Sequence, residues 1–121
     1  MRKEAIANTK MPINLYISGP MTGIKNKNYE AFATATIELR TAGYDITNPW
    51  QLDKNEPEVT WEDCLRRDIK EMMLQCNGVA TLPRWKKSKG AQLEVYIAKA
   101  LKWPVHTVTY WRKKCRTSIK A

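Results

Sequence analysis

The chain has 121 residues, 43% of them hydrophobic, and a net charge of +9. This length fits one domain with its own core and is too short for two lobes with a cleft between them. No apolar run approaches the ~20 residues of a membrane span, and no apolar segment follows the basic amino terminus, which argues against a secretory signal. Three cysteines without a CxxC spacing argue against a disulfide framework and a zinc ribbon, so we expect a cytoplasmic protein.

The positive charge is concentrated in the last third of the chain. Residues 1–83 contain 10 Lys and Arg against 11 Asp and Glu, whereas residues 84–121 contain 11 Lys and Arg and one acidic residue, Glu94. Such a cationic segment attracts phosphate, whether of a nucleotide or of a nucleic acid. A solvated basic tail that only aids solubility is the alternative for residues 110–121.

Four short apolar segments bounded by glycine or proline predict β-strands over residues 13–18, 44–48, 79–82 and 104–110. Amphipathic segments between them predict helices over 29–42, 61–76 and 90–102, with Asn28 and Thr60 as N-caps and Gly43 ending the first helix. The side chains predicted to face the core are Phe32, Ala35, Leu39 and Ala42, then Leu65, Ile69, Met72 and Cys76, then Leu93, Ile97, Ala100 and Leu101. Residues 1–10 are predicted as a mobile extension, 51–60 as a polar loop and 111–121 as a basic tail, which leaves 11–110 as a single α/β domain.

The element order β-α-β-α-β-α-β indicates parallel strands joined by right-handed crossovers. The predicted fold is a three-layer α/β sandwich with a small parallel sheet of four or five strands, similar to flavodoxin and Rossmann folds. Ligands bind such sheets at the carboxyl ends of the strands. We therefore expect residues 19–23, 48–50 and 83–90, which follow three of the strands, to line the site.

Two carboxylates lack a cationic partner at helical spacing. The positions one turn away from Glu94 hold only glycine, alanine and isoleucine, so we expect its carboxylate to point into the protein. The N–H groups at the start of the same helix favour the ionised form of this carboxylate. Asp68 borders the apolar stripe of the preceding helix in the same way. A structural ion pair with a distant Lys or Arg is the alternative for both residues.

The segment Ser88-Lys89-Gly90 opens the third helix and has the composition of an anion site. A serine, a glycine that allows close approach, and free N–H groups suit a phosphate, and Lys86 and Lys87 add positive charge. An ordinary helix start is the alternative. Three tryptophans offer a stacking face for a base, with packing as the alternative, and they are Trp50, Trp61 and Trp85.

Three motifs together resemble the nucleoside 2-deoxyribosyltransferase-like superfamily. They are the run YISGPMTG at residues 16–23, the pair Arg67-Asp68, and the pattern Ser88-x-Gly90-x-x-x-Glu94. The nearer likeness is to the deoxynucleoside 5′-monophosphate N-glycosidase branch and to small phage and prophage proteins of this fold. The resemblance spans roughly residues 12–109.

The resemblance implies a role for each matching residue. Glu94 matches the nucleophile that attacks C1′ of the sugar, Asp68 the group that assists at the base and sugar, and Ser88 a contact to the 5′-phosphate. The candidate substrate-binding residues are Tyr16, Ser18, Gly19, Pro20, Met21, Gly23, Trp50, Ser88 and Gly90. Two positions depart from the family and leave the substrate choice open: Asn77, where transferases often carry an aspartate, and Thr22, where the N-glycosidases carry an arginine.

The predicted function is hydrolysis of the N-glycosidic bond of a deoxynucleoside 5′-monophosphate, with no metal and no other cofactor. The logic is that of retaining glycoside hydrolysis, in which two carboxyl groups about 5–5.5 Å apart flank the bond. The alternatives are a non-catalytic nucleotide or nucleic-acid binding protein that uses its basic C-terminal third, and a transferase that exchanges bases between nucleosides. By analogy with the family, we expect a homodimer or larger assembly and no membrane partner.

Overall fold

The computed structural model describes residues 13–52 and 60–114. The predictions for residues 1–10 and 115–121, and for most of the loop 51–60, lie outside the described residues. The strands are β1 (Asn14–Ser18), β2 (Asp45–Thr47), β3 (Gly78–Thr81) and β4 (Val105–Thr107). The helices are α1 (Tyr29–Thr41), α2 (Pro49–Leu52), α3 (Trp61–Gln75), α4 (Lys89–Ala100) and α5 (Val108–Lys114), and two 3-10 turns cover Lys25–Asn28 and Trp85–Lys87. None of the helices in the described ranges has the length and apolarity that a bilayer crossing requires.

The described strands form one all-parallel sheet in the order β2-β1-β3-β4. Tyr16 of the central strand β1 pairs with Thr47 on one side and with Val79 on the other. The predicted three-layer α/β fold is confirmed, with four strands. The chain runs from β1 to β2 on one side and then crosses to β3 on the other side of β1. The carboxyl end of β1 is therefore a topological switch point, where open α/β sheets bind their ligands.

Successive side chains of β1 point to opposite faces of the sheet and form two cores. Ile17 packs in one cluster with Phe32 of α1, whereas Tyr16 packs in another with Met72 of α3 and Val95 of α4. The helix α1 therefore covers one face of the sheet, and α3 and α4 cover the other.

The helix ends match the predicted caps in two of three places. The Thr60 hydroxyl accepts a hydrogen bond from the Asp63 backbone N–H at 3.0 Å, and Gly43 follows α1 with a φ of +105°. Asn28 does not cap α1, because it has a φ of 65° and its side chain serves another segment. Its Nδ2 donates to the Pro20 carbonyl at 2.9 Å and so fixes the loop that follows β1.

The buried face of α4 differs from the predicted one. Ala91, Glu94, Val95 and Ala98 face the sheet, whereas Leu93 of the predicted stripe is 43% exposed. The helix has apolar residues on two opposite sides, and hydrophobic periodicity alone selected the side with the larger residues. The small alanines allow α4 to lie close to the sheet, and an apolar surface is left outside, formed by Leu93, Tyr96 and Leu101.

The chain after β4 also differs from the prediction. The strand ends at Thr107 and α5 begins at Val108, where we predicted a strand to Tyr110 and a basic tail from residue 111. The β-branched residues at 105–109 favour a strand locally, but Trp111 decides the outcome. Its indole is 3% exposed, and its Nε1 donates to the Val79 carbonyl at 2.9 Å. The fold therefore includes residues through Lys114.

We expect Trp111→Phe to lower the free energy of unfolding by about 1–3 kcal/mol, because the buried Val79 carbonyl loses its indole donor. Trp111→Ala adds a cavity and should cost about 3–5 kcal/mol. Urea unfolding followed by circular dichroism measures both changes. Trp61→Phe is the control, because the Trp61 side chain is 43% exposed. An effect of Trp111→Ala no larger than that of the control would show that α5 is not part of the core.

Candidate functional site

A cavity of about 260 Å³ lies at the carboxyl end of β1, at the topological switch point. Its walls come from β1 and the loop after it, the turn before α1 and the start of α1, the segment after β2, and the first halves of α3 and α4. Eight of the predicted site residues line it, and they are Tyr16, Gly19, Met21, Trp50, Asp68, Ser88, Gly90 and Glu94. All three loop segments that we expected at the site therefore contribute to one cavity.

Three predicted site residues do not line the cavity. Ser18 is buried at the end of β1 and contacts Glu94. Pro20 is buried, and its carbonyl accepts the bond from Asn28. Gly23 is exposed and has a φ of +80°, a conformation that favours glycine, so a glycine is needed here for the turn. These residues shape the first loop without contributing to the cavity wall.

The Glu94 carboxyl group is buried and held by two hydroxyls of the central strand. The Ser18 Oγ donates to Oε1 at 2.8 Å, and the Tyr16 Oη donates to Oε2 at 2.9 Å. Tyr16 and Ser18 are two residues apart on β1 and therefore point to the same face of the sheet, the face that α4 covers. The structural ion pair that we considered for Glu94 does not occur within the described part of the chain; its partners there are hydroxyls.

Burial raises the pKa of Glu94 from its ordinary value of 4.5 to about 8. The hydrogen bonds from Ser18 and Tyr16 lower this pKa, and the negative charge of Asp68 raises it. The start of α4, which we expected to favour the ionised form, does not decide the pKa of Glu94. The carboxyl lies beyond the first helical turn, to which the effect of the helix dipole is confined, and burial is the larger influence. Burial and the charge of Glu94 also raise the pKa of Tyr16 well above 10, so its hydroxyl remains a donor.

The Asp68 carboxyl is paired with its neighbour in sequence. The Arg67 guanidinium donates to Asp68 Oδ1 from Nη2 at 3.0 Å and from Nε at 3.2 Å, and both side chains are largely buried. Asp68 thus forms an ion pair, but its partner Arg67 lies at i−1 and is not the distant Lys or Arg that we considered. Arg67 itself lines the cavity, which sequence reasoning missed because it considered partners only one helical turn away.

Ser88 caps α4, and its Oγ accepts from the Ala91 backbone N–H at 3.1 Å. The ordinary helix start therefore uses one acceptor site of this hydroxyl, and its hydrogen can still be donated to a ligand. A Cβ atom on Gly90 would meet Leu65 and Trp61 only at 3.8 and 3.9 Å. The fold does not need a glycine at position 90, so the space beside it belongs to the cavity.

Gly19 is a glycine for packing reasons. A Cβ atom there would lie 2.7 Å from the Cβ of Leu82, which follows β3. The Leu82 backbone N–H also donates to the Ser18 carbonyl at 2.9 Å. The chains leaving β1 and β3 therefore run in close contact beside the cavity.

The three tryptophans have different surroundings. Trp50 and Trp61 line the cavity, whereas Trp85 lies in a separate groove beside β4. The Trp50 Nε1 donates to the Lys27 carbonyl at 3.2 Å, so this indole fastens the turn before α1 in addition to lining the cavity. Sequence reasoning also missed Lys27 as a lining residue, because a lysine in a polar turn carries no signal for a site.

Asn77 lies at the opposite end of the sheet from the cavity. Its Oδ1 accepts from the Asn14 backbone N–H, at the start of β1, at 2.9 Å. The departure from the family that we noted at this position therefore does not bear on the site. In the described ranges, no three His, Cys, Asp or Glu side chains are grouped as ligands of a metal ion.

Residues 13–107 match the sequence model of a family described as "Domain of unknown function (DUF4406)". The match covers the whole sheet and every residue that lines the cavity, and the chain belongs to this family. A search of the curated proteins found no match to the chain.

The raised pKa of Glu94 makes the stability of the fold depend on pH. The folded chain retains this proton up to about pH 8, whereas the unfolded chain loses it near pH 4.5. Glu94 therefore stabilises the fold fully below pH 4.5, and this contribution is lost as the pH rises to about 8, on the order of 1 kcal/mol per pH unit.

We expect Glu94→Gln to remove this dependence and to make the protein more stable than the wild type at pH 8. Urea unfolding from pH 5 to pH 9 measures the difference between the two proteins. Glu62→Gln, on the exposed first turn of α3, is the matched control and should keep the wild-type slope. Parallel stability curves for Glu94→Gln and wild type would contradict the raised pKa.

Proposed function

We propose that the protein hydrolyses the N-glycosidic bond of a deoxynucleoside 5′-monophosphate, with Glu94 as the nucleophile. The observation that carries this proposal is a buried carboxyl group that lines the cavity and is bound at both oxygens by Ser18 and Tyr16. We also propose that the family is related to the nucleoside 2-deoxyribosyltransferase-like superfamily, on the motifs at residues 16–23, Arg67-Asp68 and Ser88 to Glu94.

In the proposed reaction, the ionised Glu94 carboxylate attacks C1′ of the deoxyribose while the bond from C1′ to the base nitrogen breaks. The transition state resembles an oxocarbenium ion, and the product is a glycosyl ester on Glu94. Water then attacks C1′, loses a proton, and releases the sugar phosphate and the carboxylate. The two hydroxyl donors support both steps, because they hold the carboxylate in one orientation and stabilise it as the leaving group.

The departing base keeps the electron pair of the broken bond and takes up a proton from water, and Asp68 is proposed to orient that water. Asp68 lines the same cavity as Glu94, and the Arg67 guanidinium fixes its orientation through two hydrogen bonds to one oxygen. Arg67 thus acts as a positioning residue for Asp68 in the proposed reaction.

The test is a panel of deoxynucleoside monophosphates with chromatographic detection of released base. Glu94→Gln should abolish turnover, because an amide cannot attack C1′, and Asp68→Asn should lower the rate by about 10²-fold or more. The rate of the wild type should rise with pH up to about 8, because Glu94 must lose its proton. Glu62→Gln should behave as wild type. Turnover by Glu94→Gln at the wild-type rate would rule out the mechanism.

A non-catalytic nucleic-acid binding protein remains the alternative proposal, and the charge distribution favours it. Between residues 84 and 114 the only carboxylate is Glu94, which is buried, whereas all seven lysines are exposed, at positions 86, 87, 89, 99, 102, 113 and 114. Contacts to a nucleic-acid backbone would give an affinity that falls steeply with salt, whereas a mononucleotide in the cavity would not. A free second base added to the panel would reveal base exchange, the third proposal.

We propose that the protein is a homodimer or larger assembly and that the outer face of α4 contacts a second copy. Tyr96 is 72% exposed there, Leu93 on the same helix is 43% exposed, and Leu101 directly after the helix is 45% exposed. Light scattering should show an oligomer that Tyr96→Glu converts to a monomer. Ile37→Glu on α1, where the side chain is 66% exposed, is the control and should leave the assembly intact. A wild-type monomer at all protein concentrations would contradict the proposal.

A further inference from the structure

The turn before α1 holds three consecutive residues in the left-handed region. Asn26, Lys27 and Asn28 have φ values of 51°, 50° and 65°. This conformation is unfavourable for residues with a side chain, and asparagine tolerates it better than most. Lys27 is thus the member of the turn whose residue type does not explain its backbone. Such strain persists only where the surrounding structure enforces it, and it is concentrated at functional sites.

Hydrogen bonds from two sides hold the turn in place. The Trp50 Nε1 donates to the Lys27 carbonyl at 3.2 Å, and the Asn28 Nδ2 donates to the Pro20 carbonyl at 2.9 Å. The Trp50 ring in turn packs edge-on against Tyr29, with ring centroids 5.0 Å apart. The segment after β2 and the loop after β1 therefore both fix the backbone of Lys27, which places this residue in the wall of the cavity.

The charges around the cavity single out Lys27. Among the residues that the structure describes, two cationic side chains line it, Lys27 and Arg67, and Arg67 is bonded to Asp68. Within the described part of the chain, Lys27 forms no ion pair. Of the lysines that we expected to attract phosphate, Lys87 and Lys89 line only an adjoining groove, which shares Ser88 and Gly90 with the cavity, and Lys86 lies over the Trp85 ring.

We infer that Lys27 binds the phosphate of the substrate and thereby selects a nucleoside monophosphate over the nucleoside. This inference rests on the proposed function and assigns the cation of the phosphate contact to the strained turn, whereas the sequence analysis assigned it to the lysines at positions 86, 87 and 89. The strain is the cost of holding an ammonium group where asparagine or glycine would be more stable. Stability and phosphate affinity should therefore respond to substitution of Lys27 with opposite signs.

Calorimetry on Glu94→Gln, which should bind substrate without turnover, tests the inference. The ligands are each of the four common deoxynucleosides with and without the 5′-phosphate. Adding Lys27→Asn should weaken binding of the monophosphate by about 10- to 100-fold, the loss expected for one charge-assisted hydrogen bond, and leave nucleoside affinity within about twofold. Lys27→Arg should restore most of the affinity. The melting temperature of Lys27→Asn should rise by about 2–5 °C, because asparagine relieves the strain.

The matched control is Lys102→Asn, which relieves a φ of 63° just after α4 and removes a lysine outside the cavity. It should raise the melting temperature without changing either affinity. Equal losses for nucleoside and monophosphate, no loss, or no binding of any monophosphate would overturn the inference. If the wild type releases base but Lys27→Asn does not weaken binding of the monophosphate, the assignment of Lys27 is wrong and the proposed hydrolysis stands. If Lys27→Asn selectively weakens binding of the monophosphate but no monophosphate releases its base, only the proposed hydrolysis is wrong.

Discussion

The contact of the Glu94 carboxyl with Tyr16 and Ser18 is the interaction on which the site depends. It joins α4 to the central strand at the point where the strand order changes direction. A carboxyl group in this position is costly, because the hydroxyls replace only part of the hydration it loses. An apolar residue of similar size would avoid that cost but would leave the buried hydroxyls of Tyr16 and Ser18 without their acceptor. The carboxyl therefore holds α4 to the central strand in addition to the role that we propose for it in the reaction.

The alternation of strands and helices was enough to predict the architecture. It also predicted that the candidate site lies at the carboxyl ends of the strands, where the cavity is found. The carboxylates could be found as well, because Glu94 and Asp68 interrupt apolar helix faces without a partner one turn away. The covered face of α4 could be predicted only in part, because that helix is apolar on both sides: Glu94 was rightly expected to point inward, but the opposite stripe with Leu93 was also predicted to face the core. The helix α5 was missed because the β-branched residues at 105–109 favour a strand, and only the tertiary contact of Trp111 with Val79 decides otherwise.

The features of the site that the sequence did not predict have a common physical cause. The bonds from Arg67 to Asp68 and from Trp50 to the Lys27 carbonyl depend on side-chain directions and on a left-handed turn, neither of which follows from helical or strand periodicity. Sequence patterns report which face of an element is buried. They do not report how a loop is held above it, and the loops carry much of the wall of this cavity.

The burial that raises the pKa of Glu94 also bears on its reactivity under the proposed mechanism. A carboxylate shielded from water attracts a positive charge developing at C1′ more strongly than it would in solution, because the effective dielectric constant is lower. The same shielding makes the ion costly before the substrate arrives, so near neutral pH the resting group retains a proton. The hydroxyls of Ser18 and Tyr16 partly offset that cost, since both lower the pKa. The fold thus balances two opposing demands on one side chain, enough burial to strengthen the attraction and enough hydrogen bonding to leave the carboxylate accessible near pH 8.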